Sequence, residues 1–334
     1  MKYLTLASIV LFISCSKITE EEHYIEGQAF GTTYHIKYFS KNTMDVQKGI
    51  DSIVNAVNRS VSTYMADSDI SKINNGDSTI TVDTTFKDVF LLSNKIHKQT
   101  DGYFDPTIGV LRNAYGFGDV KPIKKIDSTT LDSLMQFVGF DKVQLTSENK
   151  IVKTNPQIYF DFNAIAKGYG IDLIGAYLSN NGVEHYLIEL GGEILAKGKN
   201  LTKEQLWLVG IEKVTSELDD RSYSETITLT NQAMASSGNY RKFRIDSLTG
   251  NKYVHTINPL SGKAEQSDVT SATVLAPTCA EADAYATSFM ALGLEKSKAV
   301  LQKLPQVEAY LTYTDSLNQQ KEYVTEGMKV KTNN

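Results

Sequence analysis

The chain has 334 residues and a formal net charge of -5, enough length for one large domain or two modest ones, each with its own core. The acid excess and the lack of any basic block argue against a nucleic-acid surface held by counterion release, and so favour a small ligand. Two cysteines and five histidines without metal-ligand spacing argue against a zinc centre.

The first segment, MKYLTLASIVLFISCSKITEEE, carries Lys2 ahead of an apolar run from Tyr3 to Ile13, then Ser14-Cys15 and a polar, acidic stretch. The run is too short to span a bilayer stably and reads as an export signal rather than an anchor. Its end resembles the bacterial lipobox, although Phe12 stands where leucine is usual. The expectation is a signal over 1–15 ending at a lipidated Cys15, a solvated tether over 16–23 and one domain over 24–330. The protein would then be exported and held by lipid to a bacterial membrane, facing the periplasm or the cell exterior; plain secretion is the alternative. Cys279 would be left without an intramolecular partner, as a small buried apolar residue.

HYIEGQAFGTTYHIKYFS reads as two strands around Gly31. Val46, Ile50, Ile53, Val54 and Val57 recur at helical spacing, and a second helix is expected from about Thr85 to Thr100, with Gly102 as its C-cap. Asp105-Pro106 then opens an irregular stretch. A further helix starts in DFNAIAKGYGID (161–172), places Ile165, Tyr169, Leu173, Ala176 and Tyr177 on one face, and stops at Asn181-Gly182. Gly168 and Gly170 each cost this helix about 1 kcal/mol relative to alanine, so something must approach its backbone there. From HYLIEL onward the pattern changes to strands: EILAKG, LWLVGIE, ETITLT, YRKFRID and YVHTI. Thr278 opens a last pair of helices through the capping box TCAE, and VEAYLTY and EYVTE close the chain as strands. No repeat or long linker divides the chain, which predicts a single α+β domain with a sheet-rich core and flanking helices.

P-loop, HExxH, CxxC and GxSxG motifs are missing, and GFGDVK at 116–121 lacks the third glycine of a dinucleotide fingerprint. Three short stretches keep chemical interest. Lys167 lies in the first turns of a helix, where free N–H groups favour an anion, although a solvated lysine explains it equally well. Asp283 and Thr287 are four apart on one helix face and offer two hard oxygens suited to Mg²⁺; a capping acid and an incidental threonine are the alternative. His255 stands near a strand end beside an Asn-Pro turn, either as a proton acceptor or as a packed residue. ASSGNY (235–240) and LGGE (190–193) read as small-residue turns.

Taken in order, FGTTY, STYMADSDISKIN, GYFDPTIGVL, DFNAIAKGYGID, IELGGEI, SSGNYRKF, HTINPLSGK and ADAYATSFMALG resemble the FAD:protein FMN transferase family, the ApbE-like flavin transferases, across nearly all of the chain after residue 24. The resemblance implies an ApbE-like α+β domain with FAD in a cleft between two lobes. It implies Tyr64 facing the isoalloxazine, Phe30 and Ile257 beside it, and Tyr103, Phe104 and Asp105 lining the cleft. Asp161 and Lys167 would contact FAD. The Ala164 carbonyl, Asp283 and Thr287 would hold Mg²⁺, and His255 would sit by the scissile pyrophosphate. Asn163-Ala164 departs from the small Gly or Ser residues frequent there, which touches the geometry of the metal carbonyl. The implied reaction moves FMN from FAD onto a Ser or Thr hydroxyl of an acceptor and releases AMP. The implied acceptors are flavoprotein subunits of sodium-pumping NADH:quinone oxidoreductase or related membrane complexes. An FAD pyrophosphatase and a non-catalytic flavin-binding lipoprotein are the competing readings.

Overall fold

The computed structural model describes residues 20–42, 44–118, 120, 122–123, 126–213, 223–239, 243–245 and 252–332. The signal segment, Cys15 and residues 16–19 lie outside them, as do Tyr240 to Lys242 of the expected YRKFRID strand.

Alternating burial builds the sheet. Strands β1 (Glu21–Ala29) and β2 (Thr32–Ser40) form a hairpin, with Phe30 and Gly31 at the turn, both at positive φ (51° and 77°). Two more hairpins, β3 (Val143–Leu145) with β4 (Ile151–Lys153) and β7 (Trp207–Glu212) with β8 (Tyr223–Leu229), pair off separately, as do β10 (Phe243–Ile245) and β11 (Lys252–Val254). The remaining strands are β5 (His185–Leu190), β6 (Glu193–Lys197), β9 (Gln232–Gly238), β12 (Val269–Ala276), β13 (Glu308–Thr314) and β14 (Gln320–Val324). They join β1 and β2 in one eight-stranded sheet of order β1-β2-β5-β6-β9-β12-β13-β14, antiparallel throughout.

The helices are α1 (Val46–Val61), α2 (Asp69–Asn74), α3 (Thr84–Gln99), α4 (Gly109–Tyr115), α5 (Ser128–Met135), α6 (Ala166–Asn180), α7 (Cys279–Leu292), α8 (Leu294–Lys303) and α9 (Glu326–Lys329). Because side chains alternate along a strand, the sheet has two apolar faces. Ala233, Ala235, Val274, Ala276, Ala309 and Leu311 pack with the helical layer, whereas their neighbours Met234, Leu275 and Tyr310 pack with Trp207, Val209 and Ile227 of the β7–β8 ribbon. A third cluster joins Leu111 and Tyr115 of α4 to Val138, Ile257 and Ala264. Among the described residues no helix is long and apolar enough to cross a membrane.

Several expectations shift. Residues Glu21 to His23 are strand rather than tether, paired with Ser40, Phe39 and Tyr38. An edge strand tolerates acids on its open side, and Glu22 also meets Lys37 at 2.7 Å. The buried stripe of α6 is Gly168, Ile171, Ile174, Gly175 and Leu178, not the stripe through Tyr169, Leu173 and Ala176. The larger residues spread over the flank while glycines occupy the crowded side. ASSG (235–238) belongs to β9 and is no turn, and β11 stops at Val254, leaving His255 just beyond the strand. Gly116 is the left-handed C-cap of α4 (φ 80°), which accounts for the first glycine of GFG.

Candidate active site

Helix α7 runs through the interior: Ala280, Ala282, Ala284 and Ala286 are all essentially inaccessible. Alanine favours the helix and lets both the sheet and α6 come close. Thr278 caps its start by accepting from the Glu281 N–H at 3.2 Å. The reciprocal half of the expected capping box is replaced by a bridge from the Glu281 carboxylate to Lys95 of α3, at 2.7 Å. From α6, the Asp172 carboxylate accepts the next two free N–H groups of α7, those of Cys279 (2.7 Å) and Ala280 (2.9 Å). Cys279 is free and buried.

This docking explains the two glycines. A Cβ on Gly168 would lie 2.4 Å from the Cys279 carbonyl oxygen, and one on Gly170 would lie 2.6 Å from the Phe30 ring. The neighbours are therefore a helix backbone and an aromatic ring. Phe30 holds its ring there from a left-handed backbone, a conformation that costs a bulky residue about 1–3 kcal/mol and concentrates at functional sites.

Around this crossing the polar groups converge. The Gly168 N–H donates to Asp283 Oδ2 at 3.3 Å, and Thr287, one turn further along α7, has its hydroxyl 3.4 Å from that of Ser237 on β9. Lys167 Nζ lies 2.5 Å from Glu193 Oε2, at the start of β6 behind the Gly191-Gly192 turn. Burial raises the Asp283 carboxyl above its usual range against the pull of Lys167, and pushes Glu193 up to about 8. Burial disfavours the Lys167 ammonium, but Glu193 and Asp283 more than compensate and its pKa rises. Asp172 is pushed up to about 7, by burial first, with the two α7 N–H groups opposing.

Among the described residues no group of three or more His, Cys, Asp or Glu side chains could hold a metal. The expected set is leaner: one carboxylate, one hydroxyl and one carbonyl. No hydrogen bond reaches the Ala164 carbonyl among the described residues, since the Gly168 N–H that a regular helix would give it turns to Asp283. A hard-oxygen set of this kind fits Mg²⁺, which keeps several waters and takes substrate phosphates as further ligands.

A second cluster stands at the other end of the 161–168 segment. The Asn74 side chain donates to the Phe160 carbonyl (2.9 Å) and accepts from its N–H (2.7 Å), tying α2 to this segment. Ser68, the N-cap of α2, also donates to the Ser62 and Met65 carbonyls and so shapes the loop carrying Tyr64. Asp161 is buried; its N–H donates to Pro106 and its Oδ1 accepts from the Asn163 N–H. Its Oδ2 meets Arg112 Nη1 at 2.5 Å, and Arg112 Nη2 donates to the Tyr64 hydroxyl at 2.6 Å.

Thus Lys167, Asp283 and Thr287 meet around the α6–α7 crossing, with Ala164 in the turn leading into it, while Tyr64 and Asp161 are joined through Arg112 and Phe30 packs on α6. The other expected residues have surroundings of their own. Phe104 is buried in the main core, its carbonyl bound to His97 Nδ1 at 2.8 Å. Asp105 is a loop clamp: it accepts from the Thr107 N–H and hydroxyl (2.8 and 2.6 Å) and from the Phe140 N–H (3.0 Å), so its oxygens already serve the protein. Tyr103 is half-buried and pairs with Lys296, whose Nζ lies 4.8 Å from the ring centroid. Ile257 belongs to the third apolar cluster. His255 is half-buried and already has an interaction partner; the next residue, Thr256, donates to Asn239 at the end of β9 (3.0 Å). Sequence reasoning missed Arg112, Asp172, Glu193 and Ser237. GYGID and LGGE contain two of them, but only the fold reveals their partners.

Residues 30–311 match the ApbE family model. The FAD:protein FMN transferase of Haemophilus influenzae is 34% identical over 312 residues, covering 90% of this chain and 89% of that protein. Its namesake from Vibrio cholerae is 34% identical over 304 residues, 89% of each chain. The solved structure of the flavin transferase ApbE from Vibrio cholerae superposes with a TM-score of 0.81 at 32% identity, covering 93% of this chain and 99% of the other. With the family model spanning most of its length and relatives this similar along nearly the whole sequence, the chain belongs to the ApbE family.

Proposed function

We propose that the protein transfers FMN from FAD to a Ser or Thr hydroxyl of an acceptor flavoprotein subunit and releases AMP, in a Mg²⁺-dependent reaction. The observation that carries this reading is the convergence of Lys167, Asp283 and Thr287 at the α6–α7 crossing, on a chain belonging to a family whose curated relatives are named for the transfer. The isoalloxazine would lie against Tyr64 and Phe30, and the pyrophosphate at the first turns of α6, where Lys167 supplies positive charge. Asp283, Thr287 and the Ala164 carbonyl would hold Mg²⁺. When bound there, the cation supplies electrostatic stabilisation to charge on the pyrophosphate. The acceptor hydroxyl oxygen forms a bond to the FMN-side phosphorus, the bond from that phosphorus to the bridging oxygen breaks, and AMP leaves with that oxygen. The hydroxyl proton passes to His255.

The acceptor class implied by the family resemblance is a flavoprotein subunit of a membrane electron-transfer complex, of the sodium-pumping NADH:quinone oxidoreductase or a related type. Lipid attachment at Cys15 would keep the enzyme on the same membrane surface. Cys15→Ser should move the protein from the membrane fraction to the soluble or signal-retaining one, and equal fatty-acid labelling of the variant would refute the anchor. For the site itself the test is Asp283→Ala. Turnover should vanish at every Mg²⁺ concentration while part of the FAD affinity survives, because the ring contacts lie elsewhere. Near wild-type AMP release across a Mg²⁺ titration would overturn the metal assignment.

A further inference from the structure

Tyr64 is the most exposed aromatic residue near the candidate site, at 64% relative exposure, so packing alone does not fix its ring. Arg112 does what packing cannot. Its side chain is only 12% exposed and leaves α4 between two acceptors, with Nη1 2.5 Å from Asp161 Oδ2 and Nη2 2.6 Å from the Tyr64 hydroxyl. Its Cζ also stands 5.7 Å from the Tyr64 ring centroid. Asp161 is itself held through its N–H and its other carboxylate oxygen, so the guanidinium is fixed at one end and presents a rigid donor at the other. On the same helix Leu111 and Tyr115 sink into the third apolar cluster and fix the base from which the side chain projects.

We propose that Arg112 is a positioning residue for flavin binding: it holds the exposed Tyr64 ring in one orientation and neutralises the Asp161 carboxylate beside the dinucleotide's path. The inference rests on the proposed FAD site. A free tyrosine ring would have to be ordered when the flavin arrives, and an uncompensated Asp161 would repel the phosphates; the Arg112 fork removes both costs beforehand.

The test compares Arg112→Ala, Arg112→Lys, Tyr64→Phe and the Arg112→Ala/Tyr64→Phe double variant. It reads FAD affinity by quenching of flavin fluorescence, KM and kcat for AMP release, and Tm. Loss of a charged hydrogen-bond fork predicts FAD binding weakened about tenfold or more for Arg112→Ala, falling mainly on KM. Lysine should rescue little, since one ammonium cannot span both acceptors. In the double variant the tyrosine change should add almost nothing to the loss, because its partner is already gone. If Arg112→Ala lowers the Tm, Tyr64→Phe carries the test, because it leaves the Arg112–Asp161 pair intact and should still weaken FAD severalfold. Unchanged FAD affinity in Arg112→Ala and in Tyr64→Phe would overturn the role of Arg112 alone. Wild-type protein that does not quench FAD would overturn the site reading and this role with it.

Discussion

Gly168→Ala perturbs the point on which the site depends. The added Cβ would stand 2.4 Å from the Cys279 carbonyl oxygen, 2.6 Å from its carbon and 2.7 Å from the Ala280 nitrogen, all backbone atoms that no side-chain rotation can move. Ordinary contact requires α6 and α7 to part by about 1 Å. Overpacking of this kind costs about 1–3 kcal/mol, and the better helix propensity of alanine returns about 1 kcal/mol. The net loss, up to about 2 kcal/mol, should lower Tm by at most a few degrees in a domain of this size. Function should suffer more. Gly168 also donates to Asp283, and parting the helices moves Asp283 away from Ala164 and Lys167. A misplacement of about 1 Å in a catalytic arrangement costs about 10²-fold in rate. The assay pairs thermal melting with FAD-dependent AMP release on one preparation. A variant as stable as wild type with full turnover would refute the close-approach reasoning.

Two other outcomes test separate parts of the account. His255→Asn should slow transfer by about 10²–10⁴-fold with little change in FAD affinity if the imidazole takes the hydroxyl proton, whereas a packing role would lower Tm, binding and turnover together. Asp172 holds its proton in the folded state up to about 7, above the usual carboxylate range, so its contribution is complete below about pH 4 and is lost as pH rises through 7. Melting curves should therefore show wild type losing stability relative to Asp172→Asn over that window; a gap moving the other way would mean that the two α7 N–H bonds outweigh burial.

The residues that make local structure were legible, and those that make long-range contacts were not. The β1–β2 hairpin, α1, α3, α7 and the strands from HYLIEL to ETITLT follow from periodicity and turn residues close in sequence. Central strands β9 and β12 escaped notice because QAMASSG and VTSATVLA are small-residue runs buried on both faces, without clear alternation. The buried side of α6 was misjudged for a related reason: its crowded face is marked by glycines, which hydrophobic periodicity does not count. In the site, Asp283 and Thr287 could be paired by helical spacing alone. The Asp172 clamp on α7 joins residues more than a hundred positions apart, and the Arg112 fork ties α4 to two separate loops. Asp105 marks another limit: the acid stands in a promising motif, but spacing does not reveal that its oxygens accept from the Thr107 and Phe140 N–H groups.

The most direct measurement incubates the purified protein with FAD, Mg²⁺ and a candidate acceptor subunit, and follows AMP release alongside the intact mass of the acceptor. The account predicts one FMN phosphoester gained per acceptor, AMP in equal amount, and neither product when Mg²⁺ is chelated or Asp283 is replaced by alanine. AMP released at the same rate with no gain in acceptor mass would mark a hydrolase, and FAD bound without turnover would contradict the catalytic reading altogether.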